Sequence, residues 1–421
     1  MSMRGIVRKG SGAPEAPITH YSIITWERDH VRASVIELHE GAAELMGVAA
    51  APVHGVGRAS HPDVDRWYAG CEKALTQAED MTLVSRSRKL VPDYAMMSVP
   101  AEITRALPVT VATSRRQPDA GVTPEELLAL LQRGYRKAQD ILGVRSKSAA
   151  EDMISGSVVE TTLDGQPVAE PVGLRGQQLQ LRLTFFLAPL EWIRALEIVA
   201  DRLQLALTGI TPQHAVCAAA LADPLALLIL LDEQHTVVSQ ARQGQLEWSA
   251  LQEVGERQMT LATTQTLGLQ GRQADALMRA YRARQLQDDA ELQVARSFWG
   301  ELRRWMTSLA EAARPNLQDA FAPHRIYFLD LTRRIPEAQR ALETPFWERT
   351  LPFERCPAVS ELGVQTVRDV LDCTTQANGP SYLALRALAH YVAQLYGPGL
   401  NLNRALLDIV HGKQAVARGR S

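Results

Sequence analysis

Residues Leu227 to Trp248 read LLILLDEQHTVVSQARQGQLEW, and the reading of this stretch decides the fold. The apolar run ending at Leu231 predicts a buried strand, and the polar cluster Asp232–His235 a turn. Val237–Val238 opens a second strand, and a turn at Gly244 leads to a third. Hairpins of this kind at the mouth of an α/β cleft often hold phosphate on glycine amides, yet this turn has no glycine. Near the start of the chain the same order recurs: strands at Tyr21–Thr25 and Val31–Leu38, then a third around Leu45–Ala51. Two similar beginnings predict two related lobes with their hairpins facing a shared cleft.

Composition bounds the rest. A chain of 421 residues, 46% hydrophobic and 22% charged, is long enough for two lobes and is not of a disordered type. The 45 basic and 47 acidic residues nearly cancel, which argues against a broad nucleic-acid or membrane electrostatic surface. Cys71, Cys217, Cys356 and Cys373 lie far apart without C-x-x-C spacing and read as reduced thiols of a cytosolic protein. No apolar run reaches the ~18 residues of a membrane span. Residues 1–19 read as a flexible leader without the apolar core of a signal peptide.

Strands and helices alternate along the chain, which predicts α/β layers. Pro62–Thr82 carries Val64, Trp67, Cys71, Leu75 and Ala78 at helical spacing, followed by a basic loop over 83–91. The strand Tyr94–Val99 is expected to open a new unit. Within it Thr123, Pro124, Glu125 and Glu126 form a cap, a first-turn proline and favourable charges for a helix running to about Ile141. Strands at Gly156–Leu163 and Leu179–Leu187 follow, then a helix at Leu190–Leu207. Met259–Pro315 reads as helical with breaks at Gly268–Gly271 and near Asp288–Asp289. Ile326–Leu331 is a buried strand and Ser381–Leu395 a helix. Phe298 and Trp305 share one helical face, which predicts packing, while Trp299 turns aside.

Several segments, in order, resemble the FtsA family of bacterial cell-division proteins, and more loosely the pilus-assembly protein PilM. The segment with Ala51, Pro52 and Gly55, followed by Asp63, is similar to an early family pattern. Asp164, Gly165, Gln166, Pro171, Gly173 and Gly176 occupy the places of a D-G-Q…P-x-G-x-x-G signature. Gly244, Val254 and Gly255 match a strand pair leading into a helix, and SYLALRALAHYVA matches the helix closing the first lobe. The resemblance implies an actin-like, ribonuclease H-like two-lobed α/β fold with an FtsA-type subdomain inserted in the first lobe. The implied division is leader 1–19, first lobe 20–91, insert 92–186, and first lobe again 187–223. The second lobe follows at 224–369, with a helical subdomain at 259–324, then a closing region at 370–396 and a tail at 397–421.

The family ligand is ATP with Mg²⁺. Such a site needs glycines, so that backbone amides can approach phosphates, and carboxylates to position the metal. In the first loop Thr25 stands in the place of Asp and Glu27 in that of Gly, with Arg28 and Asp29 following. In the second, Leu230 and Val237 replace carboxylates, while Asp232, Glu233 and Gln234 replace glycines. In the third, Asp330, Leu331 and Thr332 replace a glycine run, and Pro336 is kept. A carboxylate ~4 Å from a phosphate charge costs about 1 to 4 kcal/mol, depending on dielectric. These substitutions predict a pseudo-ATPase with no catalytic residue, bound nucleotide or metal. A less favoured reading keeps nucleotide through Arg28 or Arg333. His54, His61, His214 and His235 are not spaced as a metal site, and His235 reads as a turn residue.

With catalysis removed, the resemblance points to a scaffold for cell division or a related membrane-associated assembly, located in the cytoplasm or at the inner face of the membrane. The alternatives are an ATP-binding polymerising protein and a PilM-like pilus-assembly protein. The insert is expected to bind protein partners or a second copy through Arg133, Arg136 and Lys137, set off from the apolar stripe Leu127, Leu130, Leu131 and Tyr135. No nucleic-acid partner is expected. In the tail, Leu402, Leu406, Ile409 and Val410 form a stripe beside Arg404, Lys413, Arg418 and Arg420. That stripe suits weak membrane contact, docking on the body, or disorder.

Overall fold

A computed structural model describes residues 19–53, 56, 61–145, 150–317, 323–332, 334–353 and 355–418. His54, Gly55 and Arg333 lie outside these residues, as do residues 1–18, where a flexible leader was expected. Strands β1 (His20–Trp26), β2 (His30–His39) and β3 (Ala42–Pro52) form an antiparallel meander. Helix α1 (Val64–Arg86) begins at Asp63, whose carboxylate accepts the Arg66 amide, and buries Trp67, Cys71, Ala74, Leu75 and Ala78. It can press on β3 because Gly47 lacks a side chain; a Cβ there would fall 1.9 Å from the Ala78 carbonyl oxygen. The helix also takes up the first part of the expected basic loop, and Arg86 reaches back to Glu37 and Glu44.

Strand β4 (Tyr94–Val99) differs from expectation. It opens no new unit; it lies parallel to β1 in the main sheet of the first lobe, buried everywhere except Tyr94. A central parallel strand is covered on both faces, so its sequence is a short apolar run that does not reveal its partners.

The insert's sheet follows. It is built from β5 (Arg105–Ser114), helix α2 (Pro124–Arg145), β6 (Glu151–Leu163), β7 (Gln166–Pro167) and β8 (Gln178–Pro189), with strand order β5-β8-β6-β7. Thr123 and Glu126 cap α2 reciprocally: the Glu126 amide donates to the Thr123 hydroxyl, and the Thr123 amide to the Glu126 carboxylate. The D-G-Q signature makes the β6–β7 turn. Asp164 and Gly165 both have positive φ, as a two-residue hairpin of this hand requires, and the Asp164 carboxylate accepts the Gln177 and Gln178 amides. Arg115, with its side chain 2% exposed, pins the insert by bonding Glu126 and the carbonyls of Ala120, Gly121 and Gly176.

Helix α3 (Leu190–Arg202), strand β9 (Ala206–Pro212) and helix α4 (Gln213–Ala219) return the chain to the first lobe. The second lobe begins with β10 (Leu225–Leu231), β11 (Thr236–Arg242) and β12 (Gln245–Gln252), the three strands expected from the opening stretch. Helices α5 (Glu256–Thr266), α6 (Gly271–Arg282) and α7 (Asp288–Ala313) break near the glycines and the Asp pair. Phe298 and Trp305 are buried in this lobe's core, and the Trp305 indole donates to the Thr236 hydroxyl. Then come β13 (Arg325–Asp330), α8 (Pro336–Leu342), α9 (Phe346–Thr350) and β14 (Ala358–Glu361). The chain crosses back with β15 (Val370–Asp372), α10 (Leu383–Leu395) and α11 (Leu402–Arg418).

The two main sheets repeat one plan. The first runs β3-β2-β1-β4-β9, with β15 added outside β3; the second runs β12-β11-β10-β13-β14. In each, a three-strand antiparallel meander is followed by two parallel strands. This is the two-lobed actin-like fold. The first lobe carries the insert between β4 and β9, where the described residues of the second have the short helices α8 and α9 between β13 and β14.

The tail docks on the body. Leu406 and Val410 of α11 are fully buried in the insert's core, with Leu402 and Ile409 packed beside them, while Leu407 enters the first lobe's core. Asn403 accepts the Val158 amide at an irregularity of β6. The stripe that suited a membrane therefore faces protein. The side chains of Lys413, Arg418 and Arg420 lie outside the described ones.

Candidate functional site

The β1–β2 turn, the β10–β11 turn and the end of β13 converge on one cleft between the lobes. It encloses a cavity of about 400 Å³ lined by Glu27, Arg28, Asp29, Asp232, Glu233, Asp330 and Leu331 among others. Thr25 and Leu230 are buried inside their strands and do not line it. All three loops picked out by sequence thus meet. Glu102 carried no sequence signal, His235 read only as a turn residue, and Gly255 at the start of α5 read only as a match to a strand pair leading into a helix.

The second turn is held from within. The Asp232 carboxylate accepts the Gln234 and His235 amides, each at 2.6 Å. The Asp232 and Glu233 carbonyls accept the Glu256 and Arg257 amides at 3.0 and 2.8 Å. These are the first two amides of α5, the groups a helix N-terminus offers to an anion. Here they are spent on the hairpin. Gly255 makes that seating feasible: a Cβ would sit 2.4–2.5 Å from the backbone of Gln234 and His235.

Glu102, which follows β4, joins the lobes. Its carboxylate lies 3.2 Å from Arg28 and 2.6 Å from the His235 ring, with its side chain 3% exposed. Burial opposes its charge, but His235 and Arg28 hold it below the usual carboxylate range. The same carboxylate raises the His235 pKa against the effect of burial, with Asp232 adding to the rise and Arg28 opposing it. Asp232 is raised by burial and then by Glu102, so Glu102 is the ionised member. His235 is therefore an ion partner across the cleft rather than an isolated turn residue. No spacing could signal this, because Glu102 is brought in by the fold.

Elsewhere, Glu27 pairs with Arg32 at 2.9 Å, and burial raises its pKa. Asp330 folds onto its own loop, accepting the Thr332 amide and hydroxyl and the Ile335 amide. Asp372, leaving β15, makes the same pattern with Thr374 and Ala377. Among the described residues the cavity lining carries six acidic side chains (Glu27, Asp29, Glu102, Asp232, Glu233, Asp330) against three guanidiniums (Arg28, Arg32, Arg334). Two of those guanidiniums are paired with Glu102 and Glu27. With Glu27 and Asp232 shifted toward the neutral acid by burial, the other carboxylates still oppose a polyphosphate, and the first two α5 amides are engaged, so the described residues do not fit Mg·ATP as arranged. Glu102, Asp232 and His235 do bring potential metal ligand atoms within 4.8 Å of one another, but Arg28 and the turn amides already satisfy the two carboxylates.

The other candidates are dispersed. His61 is exposed beside Glu191. His214 is buried against Phe186, and burial pushes its pKa down to about 3. The four cysteines form no disulfide. Arg133 and Lys137 curl over the edge of the insert's sheet, donating to the carbonyls of Ala112 and Thr110. Arg136 lines the same shallow groove. Among the described residues no helix is long and apolar enough to cross a membrane.

No protein-family model matches the sequence, and no curated protein sequence is significantly similar to it. Solved structures are similar in fold. One, a PilM–PilN type IV pilus biogenesis complex, is 13% identical, with 90% of this chain and 99% of that chain covered at a TM-score of 0.57. Looser likenesses are to the ethanolamine utilization protein EutJ of Carboxydothermus hydrogenoformans (10% identity, 88% and 90% covered, TM-score 0.42) and the cytoplasmic domain of EpsL of Vibrio cholerae, an inner membrane component of the type II secretion system (10%, 91% and 98%, TM-score 0.34). The chain thus shares the actin-like fold with PilM over nearly its whole length.

Proposed function

We propose that this protein is a scaffold of a membrane-associated assembly, working at the cytoplasmic face through protein contacts and without nucleotide turnover. The observation that carries this reading is the seating of the β10–β11 turn on the α5 amides, behind a cleft whose described lining residues include more acidic side chains than guanidiniums. Both features disfavour a triphosphate. The partner surface we assign is the basic edge of the insert at Arg133, Arg136 and Lys137. Of the assemblies suggested by sequence, a pilus-type machine is supported by the likeness to PilM. The FtsA-like D-G-Q signature is accounted for by turn geometry and adds little to the cell-division reading.

A thermal melt with Mg·ATP tests the first half. A ligand at roughly 100 times its Kd adds about 2.7 kcal/mol and moves a melt by several degrees. We expect no shift with millimolar Mg·ATP. A shift of several degrees that disappears in Arg28→Ala would restore the ATP-binding alternative.

A further inference from the structure

Strand β5 is the long open edge of the insert's sheet: it pairs with β8 on one side and, among the described residues, has no strand on the other. The peptide groups of a β-strand alternate between its two edges. The Arg115 amide, just past β5, donates toward β8 at Gln177, so even-numbered residues turn their amides and carbonyls outward. Lys137 donates to the Thr110 carbonyl at 2.9 Å and Arg133 to the Ala112 carbonyl at 3.2 Å, both of the outward series. Pro108 belongs to the same series and offers no N–H. Open edges left unguarded recruit other strands, and natural sheets blunt them with lysines and prolines. Here one guard is permanent and two are side chains that can swing away.

What displaces the two cations must offer them a better acceptor than a neutral carbonyl, and a carboxylate does. Among the described residues the Thr110 and Ala112 amides meet no acceptor, and they would receive the carbonyls of an added strand. The surrounding groove, about 320 Å³, is lined by Thr110, Val111, Ala112, Arg133, Arg136 and Lys137, with Asp140 as its one acid. A second copy pairing edge to edge would bring two such basic clusters together, which disfavours self-association there. We infer that β5 takes an extended acidic segment of a partner protein as an added strand, its carboxylates drawing Arg133 and Lys137 off the Ala112 and Thr110 carbonyls. This rests on the assignment of the basic edge as the partner surface and specifies its occupant.

The test uses the full chain and a fluorescein-labelled eight-residue peptide alternating Val and Glu, with a Val/Lys peptide as control, read by fluorescence anisotropy. The Val/Glu peptide should bind and the Val/Lys peptide should not. Thr110→Pro removes one outward amide without touching the β8 ladder and should weaken binding at least tenfold with the melting temperature kept. Ala112→Pro serves if Thr110→Pro lowers the melt. Arg133→Glu with Lys137→Glu should weaken binding as strongly. If the proline variants bind as well as wild type while the charge-reversed variant does not, strand addition is wrong and the basic partner surface survives. If charge reversal has no effect while proline abolishes binding, the acidic occupant and the basic surface are wrong. No binding of the Val/Glu peptide to wild type at millimolar concentration overturns the inference.

Discussion

Replacing Leu406 by Ala tests whether the tail is part of the fold. Leu406 is fully buried in the insert's core, where α11 packs on β6 and α2, and a Cβ built at Gly156 would lie only 3.0 Å from its terminal methyl. The substitution removes three carbons from this site. At about 0.8 kcal/mol per buried carbon the transfer loss is roughly 2.4 kcal/mol. Much of one wall is sheet backbone, which cannot collapse into the void, so a cavity contribution brings the total to about 3–4 kcal/mol. The lobes need not unfold together, so a local readout is preferable to a global melt. The Val158 amide provides one, because it donates to Asn403 of α11. If its exchange proceeds by undocking of α11, a loss of about 3 kcal/mol speeds exchange roughly 100-fold. Leu400→Ala, at a residue 47% exposed, should leave exchange nearly unchanged. A change below about threefold in Leu406→Ala, or equal changes in both variants, would refute docking of the tail and return the stripe to a membrane or to solvent.

Arg115→Ala should destabilise the insert by about 3 kcal/mol or more, since it strands three carbonyls and the Glu126 carboxylate; loss of protection in β5 and β8 by hydrogen exchange measures it. Gly255→Ala should lower the melting temperature by the equivalent of about 1–3 kcal/mol, because the added methyl meets backbone that cannot swing aside. The tie between the lobes should depend on pH. His235 has a raised pKa in the fold, so its contribution is complete below its ordinary value of about 6.5 and fades as pH rises through the folded value. Glu102 is lowered, so its contribution is present above about 4.5 and fades as pH falls through the folded value. Wild type should therefore lose melting temperature between pH 6.5 and 9 relative to His235→Ala; parallel curves would show that the contact with Glu102, Asp232 and Arg28 does not contribute.

Much of the architecture is local and so is legible in the chain. The hairpin of Leu227–Ala241, the Thr123–Glu126 cap and the Asp164–Gly165 turn each follow from residues a few positions apart, whose backbone preferences act before any tertiary contact forms. The three loops around the cleft were legible for the same reason, since each sits at the end of a recognisable strand. What those loops do was not. Tyr94–Val99 belongs beside β1 because of a parallel pairing some seventy residues away in sequence, and a uniformly apolar strand does not name its neighbours. Glu102 meets His235 only after two lobes close, and the α5 amides are consumed only because Gly255 lets a distant hairpin sit on them. Arg133 and Lys137 read as an outward basic face, since helical periodicity places a side chain on a side of its helix but does not show the strand edge it can reach around. The residues supplied the charges and the turns; packing in three dimensions decided which charges were already taken.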